Sequence, residues 1–262
     1  MLAARFGLPR RRGRFPSRAA LADLAARWAP TPAPGLSLLR LGGAADGGYL
    51  VPDDLAGLRA CFSPGVAGSS RFEAALAARG VPSHLMDPSV EGAAGGFVPA
   101  SFTRAALAAS SGQGRLSLED WVAAAEPDGS GDLLLQMDIE GAEYASLIAA
   151  PRALLARFRL IVIELHGLHL LGESAFFTMF EAFSQKLLLD HGVVHLHPNN
   201  DVPPLRIGGV AVHPVLEVTL LRRGRPGLGD APMRRPRHPL DAPNIAHRPD
   251  VALAAEWGGR RA

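Results

Sequence analysis

The stretch Asp132-Leu133-Leu134-Leu135-Gln136-Met137-Asp138-Ile139-Glu140-Gly141-Ala142-Glu143-Tyr144 decides the reading of this chain. Asp132 to Ile139 is a continuous apolar run, bounded upstream by the turn-prone Asp128-Gly129-Ser130-Gly131, and it predicts a strand buried on both faces. Gly141 allows a tight turn into a helix from Glu140 to Ala150, stopped at Pro151. A buried strand that ends on acids and turns straight into a helix is half of a βαβ unit.

The same grammar repeats outward from this centre. Leu160 to Leu165 is a second central strand, apolar except for Glu164 at its carboxyl end. Upstream, Leu58 to Phe62 and Val81 to Met86 read as short strands flanking a helix from Ser69 to Arg79 that Gly80 closes. Ser117-Leu118-Glu119-Asp120 is a capping box opening a helix through Ala125. Ser174 is expected to cap a long helix to His191, with Phe176, Phe180, Phe183 and Leu187 at helical spacing. Val193 to Leu196 and Gly209 to Arg222 are two strands joined by the polar turn Pro198-Asn199-Asn200-Asp201, which predicts an antiparallel pair at one sheet edge. The expectation is one three-layer α/β/α, Rossmann-like domain over residues 41–222, with a mostly parallel sheet. Residues 1–40 form a basic leader (1–16) and a short helix from Ser17 to Trp28. Residues 223–262 form a Pro/Arg-rich tail that packs irregularly on the domain.

Composition narrows the class. With 262 residues and 48% hydrophobic content the chain can bury a sizeable core, so disorder of the whole chain is excluded. No apolar run approaches the 18 residues needed for a membrane span. Cys61 is the only cysteine, which forbids an internal disulfide and a CxxC zinc site, and a cytoplasmic location is the expectation. Arg10-Arg11-Arg12 is similar to a twin-arginine export signal, but no apolar segment follows it. Residues 1–40 carry a net +7, residues 222–262 carry +5, and residues 41–221 carry −10. A net positive charge found only at the Pro/Gly-rich termini, and not on one folded face, argues against a specific nucleic-acid reader.

In a parallel sheet, ligands bind beyond the carboxyl ends of the strands. The first strand leads into Ser63-Pro64-Gly65-Val66-Ala67-Gly68-Ser69-Ser70, where Gly65 and Gly68, without side chains, let a ligand approach backbone N–H groups. Asp87 follows the second strand, where an acid can accept hydrogen bonds from ribose hydroxyls. Together they favour an adenosine ligand, and the acidic body suits a cationic sulfonium. Strand alternation puts Gln136, Asp138 and Glu140 on one side of the chain as it leaves the sheet. His166 and His169 follow Glu164, and His195 and His197 follow the last strand but one. A histidine beside a carboxylate can act as general base, or His166, His169 and Asp138 can hold a divalent metal.

Met137-Asp138-Ile139-Glu140-Gly141-Ala142-Glu143 resembles the "DIEGAE" signature of the FkbM-type methyltransferases. Asp46-Gly47-Gly48-Tyr49-Leu50-Val51-Pro52, Phe62-Ser63-Pro64-Gly65-Val66, Phe72-Glu73, Ile163-Glu164-Leu165-His166, His197-Pro198-Asn199-Asn200 and Pro239-Leu240-Asp241-Ala242-Pro243-Asn244 resemble blocks of a related methyltransferase-like group. The resemblance implies a seven-stranded class I methyltransferase fold and S-adenosylmethionine as cofactor. It implies cofactor contacts at Ser63, Gly65, Gly68 and Asp87, with Asp138 near the transferable methyl group. Asp138, His166 and Glu140 are then the catalytic candidates, and no metal ligand is assigned. The acceptor is expected to be a sugar or secondary-metabolite hydroxyl, a small molecule or a glycan. One departure stands out: Ser63-Pro64-Gly65-Val66-Ala67-Gly68 replaces the usual Asp-x-Gly-x-Asn-x-Gly, so this loop brings no carboxylate to the methionine amine. The competing readings are a metal-dependent glycosyltransferase or hydrolase built on Asp138, Glu140, His166 and His169, and a non-catalytic binding module that keeps the fold.

Overall fold

The computed structural model describes residues 15–225, 228–229 and 237–258. Most of the predicted basic leader, residues 1–14, lies outside the described residues, as does part of the tail. Seven strands form the central sheet: β1 (Leu58–Pro64), β2 (Ser83–Met86), β3 (Ser101–Thr103), β4 (Asp132–Met137), β5 (Phe158–Leu165), β6 (His191–Pro198) and β7 (Leu216–Arg222). Their order is β6-β7-β5-β4-β1-β2-β3. Every central pairing from β3 to β5 is parallel, and β7 alone runs antiparallel to both of its neighbours. The antiparallel pair lies at one edge of the sheet as expected, with β6 outermost and β7 between it and β5. The expected strand from Gly209 to Arg222 is two elements. Val210–Val212 pairs back on Leu205–Ile207 as a small hairpin, and Pro214, which has no N–H to give a ladder, separates it from β7.

Six α-helices are described: α1 (Arg18–Arg27), α2 (Arg71–Ala77), α3 (Leu118–Ala125), α4 (Glu143–Ala149), α5 (Arg152–Leu155) and α6 (Ser174–Asp190). Ser17 caps α1 by accepting the Ala20 N–H, and Ser117 caps α3 by accepting the Asp120 N–H. Ser174 is instead the first residue of α6, with Glu173 in the capping position. Helix α4 begins three residues later than expected, because Glu140 and Gly141 both take left-handed backbone conformations (φ +55° and +102°).

Alternating side chains of the strands fill two cores. Ala60, Phe62, Leu133, Leu135, Ile161 and Ile163 face one side, where α1, α3, α4 and α6 pack around Trp28, Tyr144, Phe180 and Phe183. Cys61, Leu134, Leu160 and Val162 face the other, covered by α2 and by a hairpin of Leu38–Leu41 with Tyr49–Pro52. The layers are therefore unequal, since one face has five helices, the short α5 adding Leu155, and the other a short helix plus a hairpin. That hairpin and β3 went unread because each strand has only three or four residues. The described part of the tail is tied to the body: the Trp257 indole N–H donates to the Ala211 carbonyl at 3.0 Å, and the Asn244 amide donates to Glu217 at 2.6 Å. No described helix is long and apolar enough to cross a membrane.

Candidate functional site

The carboxyl ends of β1, β2, β4 and β5 open onto three adjoining cavities of about 230, 290 and 440 Å³. Asp138 lines all three, and Gly65 and Ala67 line the first two. The glycine at position 65 is dictated by a close approach of backbones. At φ +84°, a Cβ there would lie 1.7 Å from the Asp138 carbonyl oxygen, so the loops after β1 and β4 touch directly. Ala67, also left-handed at φ +34°, turns its N–H toward Asp87 Oδ2 at 2.9 Å. Such a conformation costs a non-glycine residue roughly 1–2 kcal/mol, and the Asp87 hydrogen bond helps to hold it.

Asp87 also accepts the Ser89 N–H and hydroxyl at 2.7 and 2.6 Å. Burial works against its charge, but the bonds from Ser89, Ala67 and Val66 outweigh it and hold the carboxyl below its ordinary range. Asp87 is thus an ionised anchor for the loop after β1. It borders the 290 Å³ cavity, whose other walls are mostly apolar: Pro64, Met86, Pro88, Ala105, Ala106, Leu107 and Ile139.

The 230 Å³ cavity is more polar and is closed by a buried chain of three groups. The Ser63 hydroxyl lies 2.5 Å from both Glu73 Oε1 and Gln136 Oε1. One hydroxyl proton cannot serve two acceptors, so the chain closes with a proton on Glu73 or with the Gln136 amide turned to donate. Burial raises the Glu73 carboxyl above its ordinary range, although Ser63 opposes the shift. Glu73 Oε2 has no hydrogen-bond partner among the described residues, and Glu73 and Gln136 both line the cavity with Asp46, Tyr49 and Phe72. Ser63 itself is fully buried behind them.

The third cavity is acidic. Asp46, Asp138, Glu140, Glu164 and Asp201 line it, with His166, Asn199 and Asn244. His166 Nδ1 lies 2.9 Å from Glu143 Oε1, while its Nε2 lies 3.7 Å from Asp138 Oδ1 and 3.5 Å from Glu140 Oε2. Glu143 is fully buried and also accepts the Ile139 N–H at 3.2 Å, so it fixes both the β4 loop and the imidazole. The Tyr144 hydroxyl donates to the His166 carbonyl from below. Burial pushes the Asp138 carboxyl up to about 6, against the favourable charge of His166. Burial likewise holds Glu164 well above the carboxylate range, with Asp138 and Glu217 adding like-charge repulsion. Burial works against a charge on His166, but Glu143, Asp138 and Glu140 outweigh it and raise its basicity.

The residues read from sequence fall into three groups. Asp87, Asp138, Glu140, Gly65 and Gly68 line the crevice, and His166 joins them from β5. Ser63 supports it from behind. His169 is exposed and stands outside the group formed by Asp138, Glu140 and His166. His195 and His197 belong elsewhere: they pair with Asp241 and with Glu217 and Asp250, under the tail. Asp46, Glu73 and Asn244 were not singled out as site residues, although each lies in a block that carries the family resemblance. No model of a known protein family matches the chain, and no curated protein matches it.

Proposed function

We propose that this protein is an S-adenosylmethionine-dependent methyltransferase on a class I fold, acting on a hydroxyl of a sugar or secondary metabolite. The observation that carries this reading is the pair of dissimilar cavities, one apolar and one polar, that meet at Gly65, Ala67 and Asp138. A seven-stranded, mostly parallel sheet with an antiparallel edge pair supports it. The apolar cavity suits an adenine ring between Met86 and Leu107. Asp87 would accept a ribose hydroxyl in place of the Ser89 hydroxyl, which is free to rotate away. The unpartnered Glu73 oxygen suits the methionine ammonium, the role that the altered loop after β1 leaves open.

When bound, S-adenosylmethionine supplies a methyl group made electrophilic by its sulfonium. The chain's own task is alignment and proton removal. Asp138 stands at the junction of the cofactor cavities and the 440 Å³ cavity, where the acceptor would lie. The crevice would hold an acceptor oxygen in line with the methyl group that the cofactor would give up, its sulfur keeping the bonding electron pair. The hydroxyl proton would pass to Asp138. Glu143 keeps the imidazole oriented.

Calorimetric titration with S-adenosylmethionine and with its demethylated product tests this. One-to-one binding of both is expected, and Asp87→Ala should weaken it by roughly 1–3 kcal/mol. Folded protein that takes up neither compound refutes the proposal.

A further inference from the structure

We propose that Asp138, Glu140 and His166 bind one divalent first-row transition-metal ion at the rim of the 440 Å³ cavity. Candidate donor atoms of the three side chains all lie within 4.8 Å of one another. The separations of His166 Nε2 from the two carboxylates, 3.5 and 3.7 Å, are too long for good hydrogen bonds. They are close to the span of two donors around one ion, since metal–ligand bonds of about 2.1 Å place neighbouring donors roughly 3–3.5 Å apart. Glu140 is brought there by its left-handed backbone, and its side chain is 85% exposed, so it serves no packing purpose.

The imidazole is prepared for such a role. Fully buried Glu143 takes the Nδ1 side, which leaves the Nε2 lone pair facing Asp138 and Glu140. A carboxylate behind a histidine is the usual outer partner of a metal-binding imidazole, fixing its tautomer and strengthening it as a donor.

A second observation, independent of those three residues, also points to a cation. The cavity wall carries further carboxylates in Asp46 and Glu164, the latter also accepting the Asn199 amide at 2.7 Å, and among its lining residues there is no arginine or lysine. Asn244, only 7% exposed, lines the same wall; its amide donates to Glu217, and its side-chain oxygen has no hydrogen-bond partner among the described residues. Buried oxygens in this excess are costly unless a positive charge accompanies them. The mixture of one imidazole with several carboxylates suits an ion in the range Mn²⁺ to Zn²⁺ better than a thiophilic one.

The ion's role in catalysis rests on the methyltransferase reading: an acceptor hydroxyl coordinated beside Asp138 would lose its proton more readily. Metal binding itself does not rest on it. The test is titration of chelator-treated, full-length protein with Mn²⁺, Zn²⁺ and Mg²⁺, with bound Mn²⁺ counted by electron paramagnetic resonance. One ion per chain is expected for Mn²⁺ or Zn²⁺. Glu140→Gln, at an exposed side chain that folding does not need, should weaken it about tenfold or more, as should His166→Gln. Glu91→Gln, an exposed acid outside the cavity, should leave it unchanged. Absence of stoichiometric binding, or wild-type affinity in both site variants, overturns the proposal. S-adenosylmethionine titrated into the same metal-free samples separates the two claims. Metal uptake without cofactor binding keeps the ion site and removes the methyltransferase. Cofactor binding without metal uptake does the reverse.

Discussion

Strand β4 begins at Asp132 and is followed at once by Asp138, and these two aspartates live in opposite surroundings. Asp132 accepts from Arg159 at 2.8 Å and from Arg222 at 2.6 Å. Arg159 also ties down the Asp54 and Ala56 carbonyls, and Arg225 grips the Asp54 carboxylate through two bonds. Burial works against the Asp132 charge, but the two guanidinium groups prevail and hold its carboxyl below the ordinary range. At the other end, Asp138 has Glu140, Glu164 and Asp46 for company, and burial pushes it up to about 6. The arginines at the amino ends cross-link β4, β5 and β7, so those acids serve stability. Asp138 and Glu140 at the carboxyl end have no arginine partner among the described residues, and it is their repulsion that the proposed ligands would relieve.

Exchanging the two ends in turn should break this contrast cleanly. Asp138→Asn is expected to cost about 10²–10⁴-fold in methyl-transfer rate, with an unchanged or higher melting temperature because a crowded carboxylate is gone. Rate and melting curve measured on one preparation check both halves. Next in size, Gly65→Ala drives a Cβ into the Asp138 carbonyl and should destabilise the fold by roughly 2–4 kcal/mol in urea unfolding. Asp132→Asn should lose roughly 1–3 kcal/mol of stability while the activity per folded molecule stays as in the wild type. Activity loss at Asp132 comparable to that at Asp138 would erase the distinction between the ends.

The smallest effect concerns a third histidine–acid group, under the tail. His197 Nδ1 lies 3.3 Å from Glu217 and its Nε2 3.1 Å from Asp250, which Arg237 also contacts, while His213 Nε2 accepts the Ala254 N–H at 3.0 Å. Burial works against charge on His197, but Glu217, Asp241 and Asp250 outweigh it and raise its folded value. Its contribution is therefore present at low pH and is lost as pH rises through that value. Burial, helped by the His197 charge and opposed by Glu256, lowers His213 to about 4. The fold needs His213 neutral, so that contribution is full above about 6.5 and falls away as pH drops toward 4. Amide protection in residues 241–258, taken as exchange rates divided by the intrinsic rate at each pH, should then be greatest near neutral pH and smaller on either side. A flat profile would mean that the histidines do not govern the tail. Unlike His166, both nitrogens of His197 are consumed within the fold, which is why it is assigned no ligand.

Much of this contrast was visible in the sequence where the signal is local. Ser17 and Ser117 cap as their spacing dictates, β4 and β5 follow from their apolar runs, and Asp138, Glu140 and His166 sit where strand ends put them. Features made by distant residues were not visible. Gly65 looked like a ligand-approach glycine, yet it is the Asp138 backbone that demands it. Asp87 looked like a ribose acceptor alone, and it also anchors Ala67 and Ser89. Glu73 lies mid-pattern in a helix, and nothing near it shows that the helix buries it beneath a cavity. Asn244 comes from a segment without periodicity, some hundred residues beyond the β4 loop it joins.

The most direct measurement is a crystal structure with the demethylated cofactor product bound. The expected result is an adenine between Met86 and Leu107, a ribose at Asp87 and the sulfur facing Asp138. A ligand seated away from both aspartates, or density spread over the surface, would contradict the reading of this crevice as a methyl-transfer site.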